Sequence, residues 1–324
     1  MARRRYVMDF ERPLVELEEK LAELKRIDLS GNLDLVKEIA DLAADLETLR
    51  VETYQHLSPW DRVQIARHPE RPKTQHYLET IFEDVIEIHG DRAYGDDEAI
   101  FAGLATFEGR RVAVLGHRKG TNTKENVRRN FGSPHPEGFR KAMRVMKLAD
   151  KFGLPIVSFL DTAGAFPGIE AEERGQAWAI AESLQVLADV HIPVVAFGIG
   201  EGGSGGALAI GFGDRLVMLE NSYYSVISPE ACASIIHRDA GKAQSVVSCL
   251  KMTAEDLLGM GIVDEVLDEP LGGAHTNPEP VFEAVRDALA RALDELAGVD
   301  PQALVDARYK KLRGIGEWCT LDEG

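Results

Sequence analysis

A glycine-rich stretch, GIGEGGSGGALAIGFGD at residues 198–214, has residue types and spacings that fit three kinds of chemistry. The first is dinucleotide binding, since Gly198, Gly200 and Gly203 form the pattern G-x-G-x-x-G after an apolar run. Glu220 follows at the distance of a ribose-binding carboxylate. However, the helix between this loop and the next strand would have only about two turns, whereas a crossover between parallel strands needs about a dozen residues.

The same stretch also contains G-x-S-x-G, the nucleophile elbow of serine hydrolases, with Ser204 as the nucleophile. A histidine and an acid would have to complete the triad. The candidates later in the chain are His237, His275, Asp214, Asp239 and Asp264. Ser204 is predicted to lie four residues beyond the strand, which is not the sharp strand-to-helix corner that an elbow needs. A helix N-cap is the alternative role for this serine.

The third interpretation uses only backbone groups. The first N–H groups of a helix have no partner inside the helix and lie at the positive end of its dipole. Here they would donate to a substrate oxygen on which negative charge develops. The candidate donors of the glycine stretch are Gly205, Gly206 and Ala207, and those of a second strand-to-helix loop, DTAGAFPG, are Gly164, Ala165 and Gly168. Two such corners in series favour a two-loop oxyanion site over glycines that merely allow tight packing.

A basic segment at residues 118–151 holds ten Lys and Arg residues against three acidic ones, in a chain of net charge −17. The solvated face of a helix explains part of this charge. The rest lies in a loop bounded by glycine and proline, and we expect it to contact phosphates or carboxylates. Coenzyme A or a carboxylated cofactor would supply these groups. The candidate contacts are Lys119, Lys124, Arg128 and Arg129.

The overall composition excludes several classes of protein. The chain has 324 residues, 44% of them hydrophobic, which is enough for a large core. The acidic balance argues against general nucleic-acid binding. The three cysteines (Cys232, Cys249 and Cys319) have neither zinc-site nor disulfide spacing, which is typical of a reducing compartment. We expect no secretory signal, because no apolar run follows the basic start of the sequence. No apolar run reaches about 18 residues either, so we expect a soluble, cytoplasmic protein.

The pattern of apolar residues predicts how the chain is organised. Two heptad stripes within residues 10–50, separated by Ser30-Gly31-Asn32, predict an antiparallel helical hairpin. We assign residues 1–57 to this hairpin, residues 58–95 to a connecting segment and residues 96–324 to the main domain.

Alternating strands and helices in the main domain predict an α/β fold with its site at the strand ends. The first two strands form a hairpin through Glu108-Gly109-Arg110. The predicted strands cover residues 99–107, 111–117, 154–162, 192–199, 215–220 and 223–228. The predicted helices cover residues 138–153, 170–189, 229–237 and 253–261, and one C-terminal helix takes up most of residues 278–314.

Several long stretches are far more specific than these short patterns. They are DFERPLVELEEKL, PWDRVQIARHPERP, HRKGTNTKENVRRNFGSPHPEGFRKAMRVMKLADKFGLPIVSFLDTAGAFPGIEAEERGQ, EGGSGGALAIG, YYSVISPE, KMTAEDLLGMGIVDEV and EPLGGAH. Together they resemble, over essentially the whole chain, the alpha subunits of bacterial acetyl-CoA carboxylase carboxyltransferase. The family usually has DTPGAYPG in the second loop, whereas Ala163 and Phe166 replace the proline and the tyrosine here.

The resemblance implies a crotonase-like (ClpP/crotonase) spiral of ββα units with a two-N–H oxyanion hole. It implies transfer of the carboxyl group from carboxybiotin, held on a separate biotin carboxyl carrier protein, to acetyl-CoA. The product is malonyl-CoA, in the first committed step of fatty acid biosynthesis. The implied assembly is an α2β2 tetramer with its active site at the α–β interface, served by biotin carboxylase. The beta subunit carries a zinc ribbon and most of the acetyl-CoA site.

In that family the alpha subunit supplies the biotin-side oxyanion hole, which maps onto Gly205, Gly206 and Ala207. Stabilising the ureido oxygen helps carboxybiotin release CO2, and the resulting biotin enolate can take a proton from the acetyl methyl group. No side-chain base is then required. Two alternatives stay open: an enoyl-CoA hydratase or isomerase of the same fold, and a non-catalytic regulatory subunit. The first would use a pair of carboxylates from Glu170, Glu172, Glu173 and Glu201.

Overall fold

The computed structural model describes residues 6–26 and 33–316. The predicted turn at Ser30-Gly31-Asn32 and the third cysteine, Cys319, lie outside the described residues. The helices are α1 (Arg12–Leu24), α2 (Leu33–Gln55), α3 (Pro59–Ala66), α4 (Thr74–Ile81), α5 (Thr123–Arg128), α6 (Pro136–Phe152), α7 (Ile169–Glu173), α8 (Gln176–Asp189), α9 (Ser204–Gly211), α10 (Pro229–His237), α11 (Ala243–Leu250), α12 (Ala254–Gly259), α13 (Glu279–Leu296) and α14 (Pro301–Arg313). The strands are β1 (Glu83–Glu87), β2 (Ile100–Phe107), β3 (Arg110–His117), β4 (Ile156–Thr162), β5 (Val194–Gly203), β6 (Arg215–Leu219), β7 (Tyr223–Ser225) and β8 (Glu265–Leu267).

The strands form one mixed sheet in the order β1-β2-β3-β4-β5-β6-β8, and β7 pairs with the end of β5. The pairs β1–β2 and β2–β3 are antiparallel, whereas β3, β4, β5, β6 and β8 run parallel. Glu108 and Gly109 turn the β2–β3 hairpin with φ angles of 47° and 77°, as a two-residue type I′ turn requires. Since β3, β4 and β5 are parallel, their carboxyl ends meet at one edge of the sheet.

The core lies on both faces of this sheet. Every residue of β4 and of β5 is buried. Successive side chains of a strand point to opposite faces, so Val157 and Phe159 pack with α4 and α13, while Ile156 and Leu160 pack with α6, α8 and α9. The result is a sheet between two helical layers, which confirms the predicted α/β class.

The N-terminal helical hairpin is also confirmed. Helices α1 and α2 pack through a small leucine cluster that includes Leu14, Leu21 and Leu46. Polar contacts join the two sides, since Arg50 lies 2.8 Å from Glu18 and the Tyr54 hydroxyl donates to Glu11 at 2.7 Å. Residues 58–95, predicted as a connecting segment, contain α3, α4 and the edge strand β1, so this part of the chain also contributes to the sheet and to one helical layer.

Two predicted helices are each divided into two. Residues 170–189 break at Gly175, whose φ of 81° lies in the left-handed region and ends α7 before α8 begins. The single C-terminal helix predicted over residues 278–314 is wrong, because the chain turns at Gly298 and restarts at Pro301. Proline suits the first position of a helix, and the Asp300 side chain caps α14. Among the described helices, none is long and apolar enough to cross a membrane.

A buried arginine fastens α14 to the sheet. Arg308 is only 2% exposed and makes a two-pronged pair with Asp214, through N···O distances of 2.9 and 2.8 Å. Its other hydrogens go to the carbonyl oxygens of Leu187, Val190 and Ile192. The last helix of the described chain is thus tied to the end of α8 and to the residue before β6.

Candidate active site

A sharp corner joins β5 directly to α9. The strand continues through the first glycines because Glu201–Gly203 pairs with Tyr223–Ser225 of β7, and the helix begins at the next residue, Ser204. Ser204 is exposed and has a φ of 50°, a left-handed conformation that non-glycine residues seldom adopt. The prediction that Ser204 lies four residues beyond the strand is therefore wrong, and so is the N-cap alternative, since Gly203 occupies that position.

The two glycine loops touch through their backbones. A Cβ atom added to Gly206 would lie 2.5 Å from the nitrogen of Ala165 and 2.7 Å from the carbonyl carbon of Gly164. One added to Gly203 would lie 2.1 Å from the oxygen of Ala163. Only glycine allows this approach. The structure thus brings together the two loops that the sequence marked as candidate donor sets.

Within the second loop, only part of the predicted donor set is available. The N–H of Gly164 donates to the Thr162 hydroxyl at 3.0 Å, and that of Phe166 donates to Pro134 at 2.9 Å. Between them, the N–H of Ala165 makes no hydrogen bond to any described residue. Gly168 is the N-cap of α7, where its carbonyl accepts the first hydrogen bonds of the helix, and its N–H makes no hydrogen bond to a described residue.

In the first loop, the three predicted donors lie in the opening turn of α9. The N–H groups of Gly205 and Gly206 make no hydrogen bond outside their own helix within the described part of the chain. Ala207 is the fourth residue of α9, so its N–H is the first to have a partner in the helix, the carbonyl of Gly203. The available donors of this loop are therefore the N–H groups of Gly205 and Gly206. Such groups point toward the N-terminal end of a helix and carry its positive partial charge. Together with the N–H of Ala165, they form a set of backbone donors drawn from two touching loops. This arrangement can stabilise an oxygen on which negative charge develops.

A buried histidine, which the sequence patterns did not single out, links both loops. His117 ends β3 with no exposed surface, and its Nε2 lies 3.1 Å from the carbonyl oxygen of Gly206. Its Nδ1 accepts from the N–H of Asp161, at the end of β4, at 3.4 Å. Burial lowers the pKa of His117 to about 4, so the ring is neutral at physiological pH.

A charged network lies beside the corner. The Lys119 ammonium lies 2.7 Å from Asp161 and 2.6 Å from Glu201. The other oxygen of Glu201 accepts from Arg67 at 2.6 Å and from the Tyr223 hydroxyl at 2.5 Å. Burial alone would raise the pKa of Glu201, but the two cations outweigh it and lower the pKa to about 2. Glu201 is therefore a firmly ionised member of a structural network.

This network predicts an acid-dependent stability. Because the pKa of Glu201 is lower in the folded chain than in the unfolded chain, its contribution is complete above the ordinary value of 4.5 and is lost as the pH falls toward 2. Glu201→Gln should flatten the fall in the free energy of unfolding across that window, measured by urea unfolding at a series of pH values. Glu283→Gln, at an exposed position on α13, is the matched control and should retain the wild-type slope. Equal slopes for all three proteins would contradict the network.

Most of the predicted anion contacts already have partners within the chain. Lys119 is held by two carboxylates, and Arg129 donates to the Lys119 carbonyl at 3.1 Å and lies 3.6 Å from Glu125. Arg128 is half exposed and lies 2.8 Å from Glu98. Lys124 is exposed on α5 and makes no ion pair with a described residue. Counting charged residues along the basic segment does not reveal such partners, because some of them, such as Asp161 and Glu201, are distant in the sequence.

Two cavities of about 360 Å³ each flank the corner. One, which we call the polar cavity, is lined mostly by charged and polar residues, and its lining includes Arg67, His68, Lys73, Lys119, Asp161, Ala163 and Glu201. The other is mostly apolar and opens beside the first turn of α9. Its lining includes Ser204, Gly205, Leu208, Tyr224, Val226, Leu257 and Ile262.

Neither of the other two interpretations of the glycine stretch finds its partners. The Ser204 hydroxyl makes no hydrogen bond to a described residue, while His237 lies 3.4 Å from Ser245 and His275 stacks on His68. The remaining candidates are engaged elsewhere: Asp214 with Arg308, Asp239 with Gly241, Asp264 with Lys311, and Glu220 with Arg62. These residues therefore do not assemble a hydrolase triad. Glu220, the candidate ribose-binding carboxylate, already forms an ion pair with Arg62.

Comparison with known proteins decides which family this site belongs to. Residues 7–316 match the family model described as acetyl co-enzyme A carboxylase carboxyltransferase-like. The acetyl-coenzyme A carboxylase carboxyl transferase subunit alpha of Thermus thermophilus is 53% identical over 96% of this chain and 99% of its own length. The subunit of the same name from Geobacillus thermodenitrificans is 51% identical over 98% of this chain and 97% of its own. This chain belongs to the carboxyltransferase alpha family.

Solved structures agree on the fold. A transcarboxylase 12S structure, with methylmalonyl-coenzyme A and methylmalonic acid bound, matches with a TM-score of 0.57 and 18% identity, over 82% of this chain and 46% of that one. A Pseudomonas malonate decarboxylase hetero-tetramer in complex with coenzyme A gives a TM-score of 0.55 at 17% identity, over 66% of this chain and 86% of that one. The predicted crotonase-like fold is thereby confirmed.

Membership in the carboxyltransferase alpha family also confirms the predicted enzyme class. The comparisons do not support the hydratase or isomerase alternative, or the non-catalytic one. Of the two departures from the family's usual loop sequence, Ala163 lines the polar cavity, and Phe166 stacks on His135 with ring centroids 4.3 Å apart. Phe166 also covers Gly168, where a Cβ would lie 2.3 Å from the ring. The aromatic ring at position 166 therefore shapes the loop through packing, without a hydroxyl.

Proposed function

We propose that this chain is the alpha subunit of a biotin-dependent acetyl-CoA carboxylase carboxyltransferase and holds the biotin side of the reaction. The reaction moves the carboxyl group of carboxybiotin, carried on a biotin carboxyl carrier protein, to acetyl-CoA and forms malonyl-CoA. The observation that carries the proposal is the backbone contact between Ala165 and Gly206. This contact, at the carboxyl ends of β4 and β5, supports a site in which N–H groups of both loops donate to one oxygen.

The donors act on the ureido oxygen of the biotin ring. Carboxybiotin supplies the carboxyl group, and negative charge moves to the ureido oxygen as the N–carboxyl bond breaks. Ala165 from one loop, with Gly205 and Gly206 from the other, would donate to that oxygen and stabilise the charge. Each such donor is typically worth roughly 10²- to 10³-fold in kcat. Since the donors are backbone groups fixed by the sheet, they need no reorganisation during the reaction.

The apolar cavity beside α9 supports a biotin ring at this position. It begins at Ser204 and Gly205, next to the donors, and its walls include the side chains of Leu208, Val226 and Ile262. The fused rings of biotin are largely apolar except at the ureido group. A ring lying in this cavity would therefore place its polar edge toward the first turn of α9 and its apolar part against the aliphatic wall.

We further propose that the site is completed by other proteins. Val226, which lines the apolar cavity, is 80% exposed, and Ile235 and Ile236 on α10 are 73% and 62% exposed. Large apolar side chains exposed to this extent favour a covering partner. The expected partner is a zinc-ribbon beta subunit in an α2β2 assembly, which works in the cytoplasm with biotin carboxylase and the carrier protein. Zinc is expected on that subunit.

Phosphate groups of coenzyme A remain the expected ligands of the basic segment. Lys124 and Arg128 have the exposed cationic groups for this contact. Lys119 and Arg129, also predicted as contacts, would act mainly by holding the segment in place through their internal partners. On this proposal the acyl-CoA lies mainly on the beta subunit, with its phosphates near α5.

The reverse reaction tests the proposal. Malonyl-CoA and a free biotin derivative should give acetyl-CoA when this chain is mixed with the zinc-ribbon subunit, and should give none with either chain alone. Activity should require both subunits because each subunit holds one of the two substrates. Acetyl-CoA formation is measured by chromatography. If the mixture forms no acetyl-CoA although both chains are folded and associated, the proposal is refuted. Full activity of this chain alone would refute a site shared between the two subunits.

A further inference from the structure

We propose that His117 is a positioning residue for carboxyl transfer. It holds the carbonyl of the peptide group between Gly206 and Ala207, and with it the first turn of α9, so that the N–H groups of Gly205 and Gly206 face the ureido oxygen. The inference rests on the proposed role of the glycine loops and extends it to a side chain that touches no substrate. His117 ends β3, is fully buried, and has its Nε2 3.1 Å from the oxygen of that peptide group.

The two hydrogen bonds of the ring require one tautomer. A carbonyl oxygen only accepts, so Nε2 must carry the hydrogen that goes to Gly206. The backbone N–H of Asp161 only donates, so Nδ1 must present its lone pair. Both demands are met by the neutral ring with its hydrogen on Nε2. Burial, which lowers the pKa of His117 to about 4, keeps the ring in this neutral form.

One imidazole thereby connects both donor sets. Asp161 lies near the end of β4, which continues into the loop that holds Ala165. Gly206 lies in the first turn of α9, where the two loops touch. The carbonyl oxygen of His117 in turn accepts from the Thr74 hydroxyl at 2.5 Å, which ties the histidine to α4. The side chain of His117 therefore fixes the position of the two loops relative to each other.

Two substitutions separate the two hydrogen bonds. In His117→Gln the side-chain amide nitrogen reaches the position of Nε2 and can still donate to Gly206. In His117→Asn the side-chain oxygen lies near the position of Nδ1 and can still accept from Asp161, but nothing reaches Gly206. Both variants are assayed as full chains assembled with the partner subunit, and kcat and KM are measured for the biotin substrate.

We expect His117→Asn to lower kcat about 10- to 100-fold, the size of effect that a small misplacement of a catalytic group produces. KM should stay near the wild-type value, and His117→Gln should recover most of the lost kcat. A purely structural role would instead reduce the amount of folded complex, which is measured by thermal unfolding and by subunit association, without changing kcat per folded complex. A wild-type kcat in His117→Asn, or equal losses in both variants, would overturn the inference.

A second measurement does not depend on any variant. In the full chain labelled with ¹⁵N-histidine, the His117 resonances should report a neutral ring with hydrogen on Nε2 at pH 7. Hydrogen on Nδ1, or a doubly protonated ring, would overturn the inference. The underlying function is tested apart from this, since a fully active Gly206→Ala variant would refute the oxyanion role, whatever the histidine variants do.

Discussion

Gly206→Ala is expected to abolish carboxyl transfer. The added methyl group would lie 2.5 Å from the nitrogen of Ala165 and 2.7 Å from the carbonyl carbon of Gly164. Both neighbours are backbone atoms, so the loops must move apart. Loss of a single oxyanion donor typically costs roughly 10²- to 10³-fold in kcat, and this variant displaces donors on both sides. The measurement is steady-state kcat of the complex with the partner subunit.

A glycine away from the two loops provides a matched control. Gly259 is the exposed last residue of α12, and a Cβ added there would meet no atom within 4 Å. Alanine is favoured over glycine within a helix. Gly259→Ala should therefore keep kcat near the wild-type value and should not lower stability. If both variants lost activity equally, the effect would belong to added methyl groups in general and not to the contact between the loops.

Arg308→Met is expected to cause the largest loss of stability. It would leave the buried carboxylate of Asp214 without its cation, and three carbonyl oxygens without their donor. Breaking a buried pair by removing one partner typically costs about 3–5 kcal/mol. The urea midpoint of unfolding should fall accordingly. Because the loss arises largely from the stranded charge, the double variant Arg308→Met/Asp214→Asn should recover part of it.

A neighbouring surface pair is the control for this prediction. Arg215 lies 3.1 Å from Glu295, and both side chains are well exposed, at 38% and 58%. Exposed pairs are usually worth about 0–1 kcal/mol, so Arg215→Met should barely move the midpoint. A small effect of Arg308→Met, comparable to that of Arg215→Met, would show that α14 is not fastened through its arginine.

Much of the central fold is predictable from the sequence because its strands are continuous apolar runs. These apolar runs predict β2, β3, β4 and β5 with errors of only a few residues at the amino ends of the strands. The carboxyl end of β5 is not predicted, because Glu201–Gly203 has no apolar pattern and becomes a strand only by pairing with β7. Strand β1 was missed for a related reason, since four of its five residues are exposed.

The candidate site was predictable in composition but not in its pairings. Two glycine-rich corners after successive parallel strands must approach one another, and the structure brings them into contact. Which N–H groups stay available depends on local geometry, as with the Thr162 hydroxyl that takes up the Gly164 donor. The roles of Lys119 and His117 depend on partners 82 and 89 residues away, Glu201 and Gly206. Such contacts have no local signature.

The contact between Ala165 and Gly206 also determines how modular this chemistry is. The two residues belong to successive strand–helix units, and each unit supplies half of the donor set. A peptide containing only β5 and α9 would hold every glycine of the stretch at residues 198–214 except Gly213 and still lack the opposing loop. The site is therefore not a portable motif. The donor set forms only when β4 and β5, which α7 and α8 connect, pair with each other in the sheet. The proposed site and the parallel sheet are therefore completed in the same folding step.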